Sequence, residues 1–170
     1  MGNVRFISDL HFGHTNMAIK RGFSSAEEHD EHIISEWNKV VNKKDVTYIL
    51  GDISMEKSSP YPLLNRLNGN KHVVLGNHDM KQHSKVLLEY VNSVSAVIKY
   101  KDVLMLTHVP IHPRELDYRF KINIHGHLHD NVIEGDSRYI NVCSEQPHIK
   151  YSPKTLIELG INLDELCKKP

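Results

Sequence analysis

Five short segments of the chain each run from an apolar stretch into residue types that bind metals. They are Phe6-Ile7-Ser8-Asp9-Leu10-His11, Ile49-Leu50-Gly51-Asp52, Leu75-Gly76-Asn77-His78-Asp79, Leu106-Thr107-His108 and Ile124-His125-Gly126-His127-Leu128-His129. Each apolar run has the length and bounds of a buried strand. Each polar tip falls at that strand's C-terminal end. Open α/β sheets gather such tips into one crevice. The tips offer carboxylates, imidazoles and one amide, a mixed oxygen and nitrogen set that suits Mn, Fe, Zn or Ni rather than Ca.

The rest of the chain frames those tips. Val4 to Ser8 reads as the first strand, Val46 to Leu50 as the second and His72 to Leu75 as the third. Ser25-Ala26-Glu27-Glu28 is a capping box, with Ser25 as N-cap and Glu28 reaching back. The helix it opens places Ile33, Ile34, Trp37, Val40 and Val41 on one face. A short helix is expected from Pro60 to Leu67, and another helix from Lys81 to Tyr90. Val94 to Tyr100 and Val103 to Thr107 read as adjacent strands joined by a turn at Lys101-Asp102. Ile122 to Ile124, Arg138 to Val142 and Thr155 to Leu159 read as further strands, with a terminal helix from Asn162 to Lys168. Early strand–helix alternation predicts parallel pairing, and the later run of strands predicts antiparallel pairing. An α/β protein with two mixed sheets packed together and helices outside satisfies both halves. At 170 residues the chain is expected to form a single domain over residues 1–170.

Lys+Arg and Asp+Glu both number 21, so the formal charge is zero. That balance supplies no drive toward long nucleic acid or an anionic membrane. No apolar run reaches membrane length. Two cysteines, Cys143 and Cys167, make no disulfide framework. The cytoplasm is the expected location. Histidine stands out with 13 copies, of which His11, His78, His108, His127 and His129 sit at strand tips. His29, His32, His72, His83 and His148 read as ordinary surface or boundary residues.

Residues two apart on an extended chain share a face, so Asp9 and His11 are expected to grip one metal together. His127 and His129 repeat that spacing. Gly51 and Gly76 remove side-chain bulk where the backbone must turn close to the metals. The candidate ligands are Asp9, His11, Asp52, Asn77, His108, His127 and His129. Seven exceed the needs of one transition-metal site with an open position, and suit two metals about 3.5–4 Å apart.

The set Asp9-x-His11, Gly51-Asp52, Gly76-Asn77-His78-Asp79, His108 and Gly126-His127-x-His129 resembles the calcineurin-like metallophosphoesterase superfamily. The opening Ser8-Asp9-Leu10-His11-Phe12-Gly13-His14-Thr15-Asn16 looks like its small, compact bacterial and phage-encoded members. The resemblance implies a four-layer α/β/β/α sandwich. It implies that Asp9, His11, Asp52 and His129 hold one metal while Asp52, Asn77, His108 and His127 hold a second. The implied cofactors are two divalent transition metal ions, manganese first, with iron, zinc and nickel as alternatives.

The expected reaction is hydrolysis of a phosphomonoester or phosphodiester, with a hydroxide bridging the two metals as nucleophile. His78 is the expected catalytic residue, protonating the leaving group or stabilising phosphoryl charge. Asp79 either orients His78 or closes the turn, and the turn role is preferred. The expected partner is a small phosphoester or nucleotide. His14, Asn16 and Arg21 border the pocket as candidate substrate contacts. His14 and Asn16 have loop stabilisation as their other reading, and Arg21 has pairing with an acidic neighbour. Arg114 and Arg119 follow the His108 tip and could also point inward. A nuclease, a cyclic-nucleotide phosphodiesterase and a non-catalytic binding module are the competing readings.

Overall fold

A computed structural model describes residues 2–79 and 84–167. Among the described residues nine strands form two sheets. The first holds β1 (Val4–Ile7), β2 (Val46–Ile49), β3 (Asn70–Val74), β4 (Ser93–Ser95) and β9 (Lys154–Thr155), in the order β4-β3-β2-β1-β9. All of its pairs are parallel except β1 with β9. The second holds β5 (Ile98–Tyr100), β6 (Leu104–Leu106), β7 (Ile122–His125) and β8 (Tyr139–Asn141), in sequence order. Both sheets are mixed, and with the flanking helices they form the α/β/β/α sandwich.

The register explains how the sheets meet. Phe6, Tyr48 and His72 are cross-strand partners and share one face of the first sheet. Tyr100 of the second sheet packs edge-on to both Phe6 and Tyr48, with ring centroids 5.8 and 5.6 Å apart. The alternate row, Ile7, Ile49 and Val73, points to the opposite face and is fully buried, while Tyr48 and His72 are half-buried. A sheet buried on both faces needs helices on its outer side. The main cover is α2 (Ala26–Val40), whose Ile33, Ile34 and Trp37 join the core. Ser25 caps this helix by accepting from the Glu28 N–H at 3.2 Å. The Glu28 carboxylate reaches one residue further back than the capping box predicts, accepting from Ser24 N at 2.8 Å.

Several expectations are corrected. Val94 to Tyr100 is not one strand. The chain leaves the first sheet after Ser95 and enters the second at Ile98, and hydrophobic pattern carries no information on which sheet a strand joins. In the second sheet only β5 with β6 is antiparallel, because α4 (Pro113–Tyr118) makes a crossover that returns β7 parallel to β6. Its signal was Pro113 at the first helical position, with His112 Nδ1 accepting from Arg114 N. The strand expected at Thr155 to Leu159 ends at Thr155. There the Glu158 carboxylate accepts from Thr155 N and from its hydroxyl, both at 2.8 Å, and turns the chain. The helix α1 (Thr15–Lys20) has no capping side chain to announce it. The expected Pro60–Leu67 helix is a 3-10 helix over Tyr61–Arg66. The start of the Lys81–Tyr90 helix, together with His83, lies outside the described residues, within which α3 spans Ser84–Leu87. The terminal helix α5 covers Leu163–Leu166, and Lys168 lies outside the described residues. No helix among the described residues is long and apolar enough to cross a membrane.

Candidate metal centre

The pairing of β1 with β2 continues past the strand ends. Asp9 N donates to Gly51 O at 3.0 Å, His11 N to Asp52 O at 3.0 Å and Phe12 N to Ile53 O at 2.8 Å. This carries Asp9 and His11 alongside Asp52. At the same level the second sheet is laced to the first, since Ser8 N donates to Val142 O at 2.8 Å and Ser144 N to Ser8 O at 3.0 Å. Gly126 N donates to His108 O at 2.9 Å and sets the last two tips side by side. The five tips therefore converge where the sheets join.

The backbone there is strained. Asp9, His11, Asp52, His127 and His129 have φ of 58°, 49°, 53°, 68° and 53°. Left-handed backbone is costly for residues with a Cβ and collects where function demands it. Asp9 and His11 thus share a face through two left-handed turns, and not through the extended alternation expected. Gly76 leaves room for the Asp52 carboxylate, because a Cβ there would stand 2.1 Å from Asp52 Oδ1. A Cβ on Gly51 would meet His108 Nδ1 at 2.6 Å.

The ligand atoms fall into two overlapping groups. Those of Asp9, His11 and His129 lie within 4.8 Å of one another, and so do those of Asp9, Asp52 and His108. Asp9 Oδ1 is 3.6 Å from His11 Nε2 and 3.8 Å from His129 Nε2. Asp52 Oδ2 is 3.8 Å from His11 Nε2 and 3.4 Å from His108 Nε2, so it faces both groups. Asn77 Oδ1 is 2.9 Å from both His108 Nε2 and His127 Nδ1. Asp9, His11, Asp52, His108 and His129 fall in these two groups, while Asn77 and His127 lie beside His108, with His127 Nδ1 3.2 Å from His108 Nε2.

The donor set fits divalent cations. Asp9 Oδ2 accepts from Ser8 Oγ at 2.6 Å, His127 N at 3.0 Å and Cys143 Sγ at 3.1 Å. Asp9 Oδ1 is equally buried but has no hydrogen-bond partner, and neither ring nitrogen of His11 has one. Buried polar atoms left unpaired cost about 1–3 kcal/mol each, more when charged. A cation would satisfy Asp9 Oδ1 and His11 Nε2 at once. Burial alone would raise the Asp9 and Asp52 carboxyls, but His11 and His108 beside Asp9, and His108 beside Asp52, hold both below the ordinary range. Burial pushes His11 and His127 down, toward the neutral form that offers a lone pair. Burial also opposes charge on His108, yet Asp52 and Asp9 push it up to about 9. A proton there compensates the carboxylates as a cation would.

The remaining site residues separate by placement. His78 lies at the rim, with Nε2 3.9 Å from Asp52 Oδ2 and Nδ1 3.8 Å from Glu56 Oε1. Asp79 faces away from it. Its carboxylate accepts from Asp52 N at 2.7 Å, Gly76 N at 2.9 Å and Ile53 N at 3.1 Å, which is the preferred turn role. The His14 ring is 5.8 Å from that of His11, and Asn16 is exposed in the first turn of α1. The substrate contact expected of Arg21 does not match its placement. Its side chain is 2% exposed and reaches Glu145 Oε2 at 2.6 Å and Asp9 O at 2.7 Å. It pairs with an acidic neighbour, but inside the protein. Arg119 is 75% exposed and Arg114 lies on the surface against Tyr118, so neither points inward. His29, expected to be a surface or boundary residue, is fully buried and bonds Arg21 and Asp30.

Glu145 escaped the sequence reading although it carried the same signal as the ligands. It lies four residues past the end of β8, after Ile140-Asn141-Val142-Cys143, a stretch that is apolar but for Asn141. Its Oε1 accepts from His129 Nδ1 at 2.7 Å.

Two mixed sheets joined at the C-terminal ends of their strands form an α/β sandwich, and at the junction Asp9, His11, Asp52, His108 and His129 make clusters that could hold a metal ion. The chain belongs to the calcineurin-like phosphoesterase family, which it matches over residues 2–111. It is 35% identical to an uncharacterized protein of Methanocaldococcus jannaschii, covering 99% of this chain and 91% of that relative. It is 31% identical to the gene 66 protein of Mycobacterium phage D29, covering 78% of this chain and 81% of that protein. The crystal structure of a protein of unknown function from Aquifex aeolicus superposes with a TM-score of 0.72 at 27% identity, covering 98% of this chain and all of that one. A novel archaeal phosphodiesterase shares the fold at a TM-score of 0.52 and 18% identity, with 85% of this chain and 84% of that chain covered.

Proposed function

We propose that the protein is a metal-dependent phosphoesterase that hydrolyses a small phosphomonoester or phosphodiester using two divalent transition metal ions. The observation that carries this is the pair of buried carboxylates, Asp9 and Asp52, each facing imidazoles at 3.4–3.9 Å without a hydrogen bond between them. In this reading Asp9, His11, Asp52 and His129 hold one ion, Asp52, Asn77, His108 and His127 hold the other, and manganese is the first candidate for both. When bound, such a pair supplies an acidified water near neutral pH and offsets phosphoryl charge.

The chain's own residues do the rest. Asp52 stays ionised and, by facing both His11 and His108, serves both ions in this reading. Its Oδ1 is steadied by the His78 N–H at 3.0 Å, which leaves Oδ2 toward the imidazoles. His78, half-exposed at the rim, delivers a proton to the departing oxygen of the ester. His14 and Asn16 approach the substrate from the loop and helix after the first tip.

The test is a hydrolysis screen of manganese-loaded protein on a phosphomonoester, a phosphodiester and a 2′,3′-cyclic nucleotide, with elemental analysis of the same sample. Two ions per chain and turnover on at least one substrate are expected. Preference for the diester or the cyclic nucleotide selects the phosphodiesterase form of the proposal. A chain that retains at most one ion, or that turns over none of the three, overturns it.

A further inference from the structure

We infer that Glu145 and Arg21 form a positioning pair that sets the tautomer and aim of His129 and ties that imidazole to the backbone carrying Asp9. The inference rests on the two-metal reading above and assigns no ligand role to either residue.

Glu145 uses both carboxylate oxygens. Oε1 accepts from His129 Nδ1 at 2.7 Å, and Oε2 accepts from Arg21 Nη2 at 2.6 Å. A proton held on Nδ1 leaves the lone pair of the neutral ring on Nε2, the nitrogen 3.8 Å from Asp9 Oδ1. The ring also stacks on His11, with centroids 5.2 Å apart. Rotation of the imidazole would break both contacts. Imidazole ligands are commonly oriented in this way by a carboxylate on the far nitrogen, and such partners affect metal affinity strongly.

Arg21 joins this carboxylate to the other ligand segment. The same Nη2 that meets Glu145 donates to Asp9 O at 2.7 Å, and Nη1 reaches Leu10 O at 3.3 Å. The guanidinium fork thus grips the backbone between Asp9 and His11 while neutralising Glu145. The fork is itself held from behind, with Nη1 2.9 Å from His29 Nε2, and His29 Nδ1 3.1 Å from Asp30 Oδ1. Asp30 accepts from Gly13 N at 2.9 Å, which returns to the loop just after His11. Arg21 and Glu145 side chains are 2% and 14% exposed, so both sit within the fold rather than on the substrate face. A surface ion pair would contribute little. This one spans two segments that must keep a fixed separation if Asp9, His11 and His129 are to serve one ion.

Glu145→Gln tests the inference, with zinc as the probe. Titration of wild type should show two equivalents bound. The variant should bind one equivalent as wild type does and the other roughly 10–100-fold more weakly. Imidazole nitrogen NMR of the metal-free proteins should show His129 protonated on Nδ1 in wild type and a changed tautomer or exchange in the variant. Arg21→Lys keeps a cation but loses the fork, and should weaken the same equivalent to a smaller extent. Circular dichroism confirms that each variant is folded, and either folded variant suffices for the test. Two wild-type equivalents with an unchanged His129 signal in the variant overturn the positioning role while leaving the two-metal reading standing. Equal weakening of both equivalents, together with a lower Tm of the metal-free protein, also overturns it, since that is general structural support. A wild type that binds fewer than two zinc ions overturns the two-metal reading and this inference with it.

Discussion

The Nε2 atom of His78 stands 3.9 Å from Oδ2 of Asp52, beside the carboxylate but outside hydrogen-bond reach. His78 is thus next to the proposed metals without being needed by them, because its neighbour Asn77 turns its own Oδ1 to His108 and His127. His78→Ala should lower turnover roughly 10²–10⁴-fold while metal content stays near two per chain. The loss should shrink on nitrophenyl esters, whose leaving group needs little protonation. Steady-state kinetics on alkyl and nitrophenyl esters, with elemental analysis alongside, measure both. Loss of metal from this variant would make His78 a ligand.

Asp52 faces His11 and His108 with the same oxygen, at 3.8 and 3.4 Å. Asp52→Asn replaces a shared anionic oxygen by a neutral amide and should weaken both ions together. Turnover should fall by orders of magnitude, and dialysed protein should retain less of both equivalents. Near-wild-type activity at ordinary metal concentration is the result that excludes a shared role.

The strand tips were legible in the sequence because an apolar run followed by Asp, His or Asn is a local pattern. The means by which Asp9 and His11 come together was not, because a left-handed φ at both residues is imposed by the strand pairing with Gly51 and Asp52. Arg21 shows the wider limit. Its partner Glu145 is 124 residues away, and nothing near position 21 tells a buried clamp from a phosphate contact. Glu145 was within reach of the same rule that found the ligands. The sheet change between Ser95 and Ile98 was beyond it, since both halves of that segment are strand.

Asp79 is buried and receives three backbone N–H groups, from Asp52, Ile53 and Gly76. Asp79→Ala leaves those donors unpaired within the junction of two tips. The cost should be about 3 kcal/mol, from hydrogen bonds to a charged group at about 1.5–3 kcal/mol each with partial relief by water. At roughly 2–4 °C per kcal/mol for a chain of this size, Tm should drop by about 6–12 °C. Thermal unfolding of metal-free wild type and variant measures this. A change under about 2 °C would show that the turn holds without the carboxylate.

A groove of about 640 Å³ runs between the segment after the first tip and the loop before the 3-10 helix, lined by Phe12, His14, Asn16, Met55, Lys57 and Pro60 among others. The His14 ring, 5.8 Å from that of His11, places the groove next to the metal centre. His14 Nδ1 is buried and has no protein partner, and the pocket-lining Lys57 is a cation on an exposed loop. Glu27 and Asp30 line the groove too, so in the proposed reading it suits a leaving group with a polar ring such as a nucleoside. His14→Ala and Lys57→Ala should raise KM several-fold for a nucleotide diester while leaving kcat within about twofold. A contact made equally in ground and transition states appears in KM alone. A nitrophenyl phosphomonoester has little to place in the groove, so its KM should hardly change. Metal content should stay at the wild-type level, since neither residue is in the ligand set. Equal shifts in KM for both substrates would assign His14 and Lys57 to the phosphoryl group itself. No shift for either would leave the groove without a part in recognition.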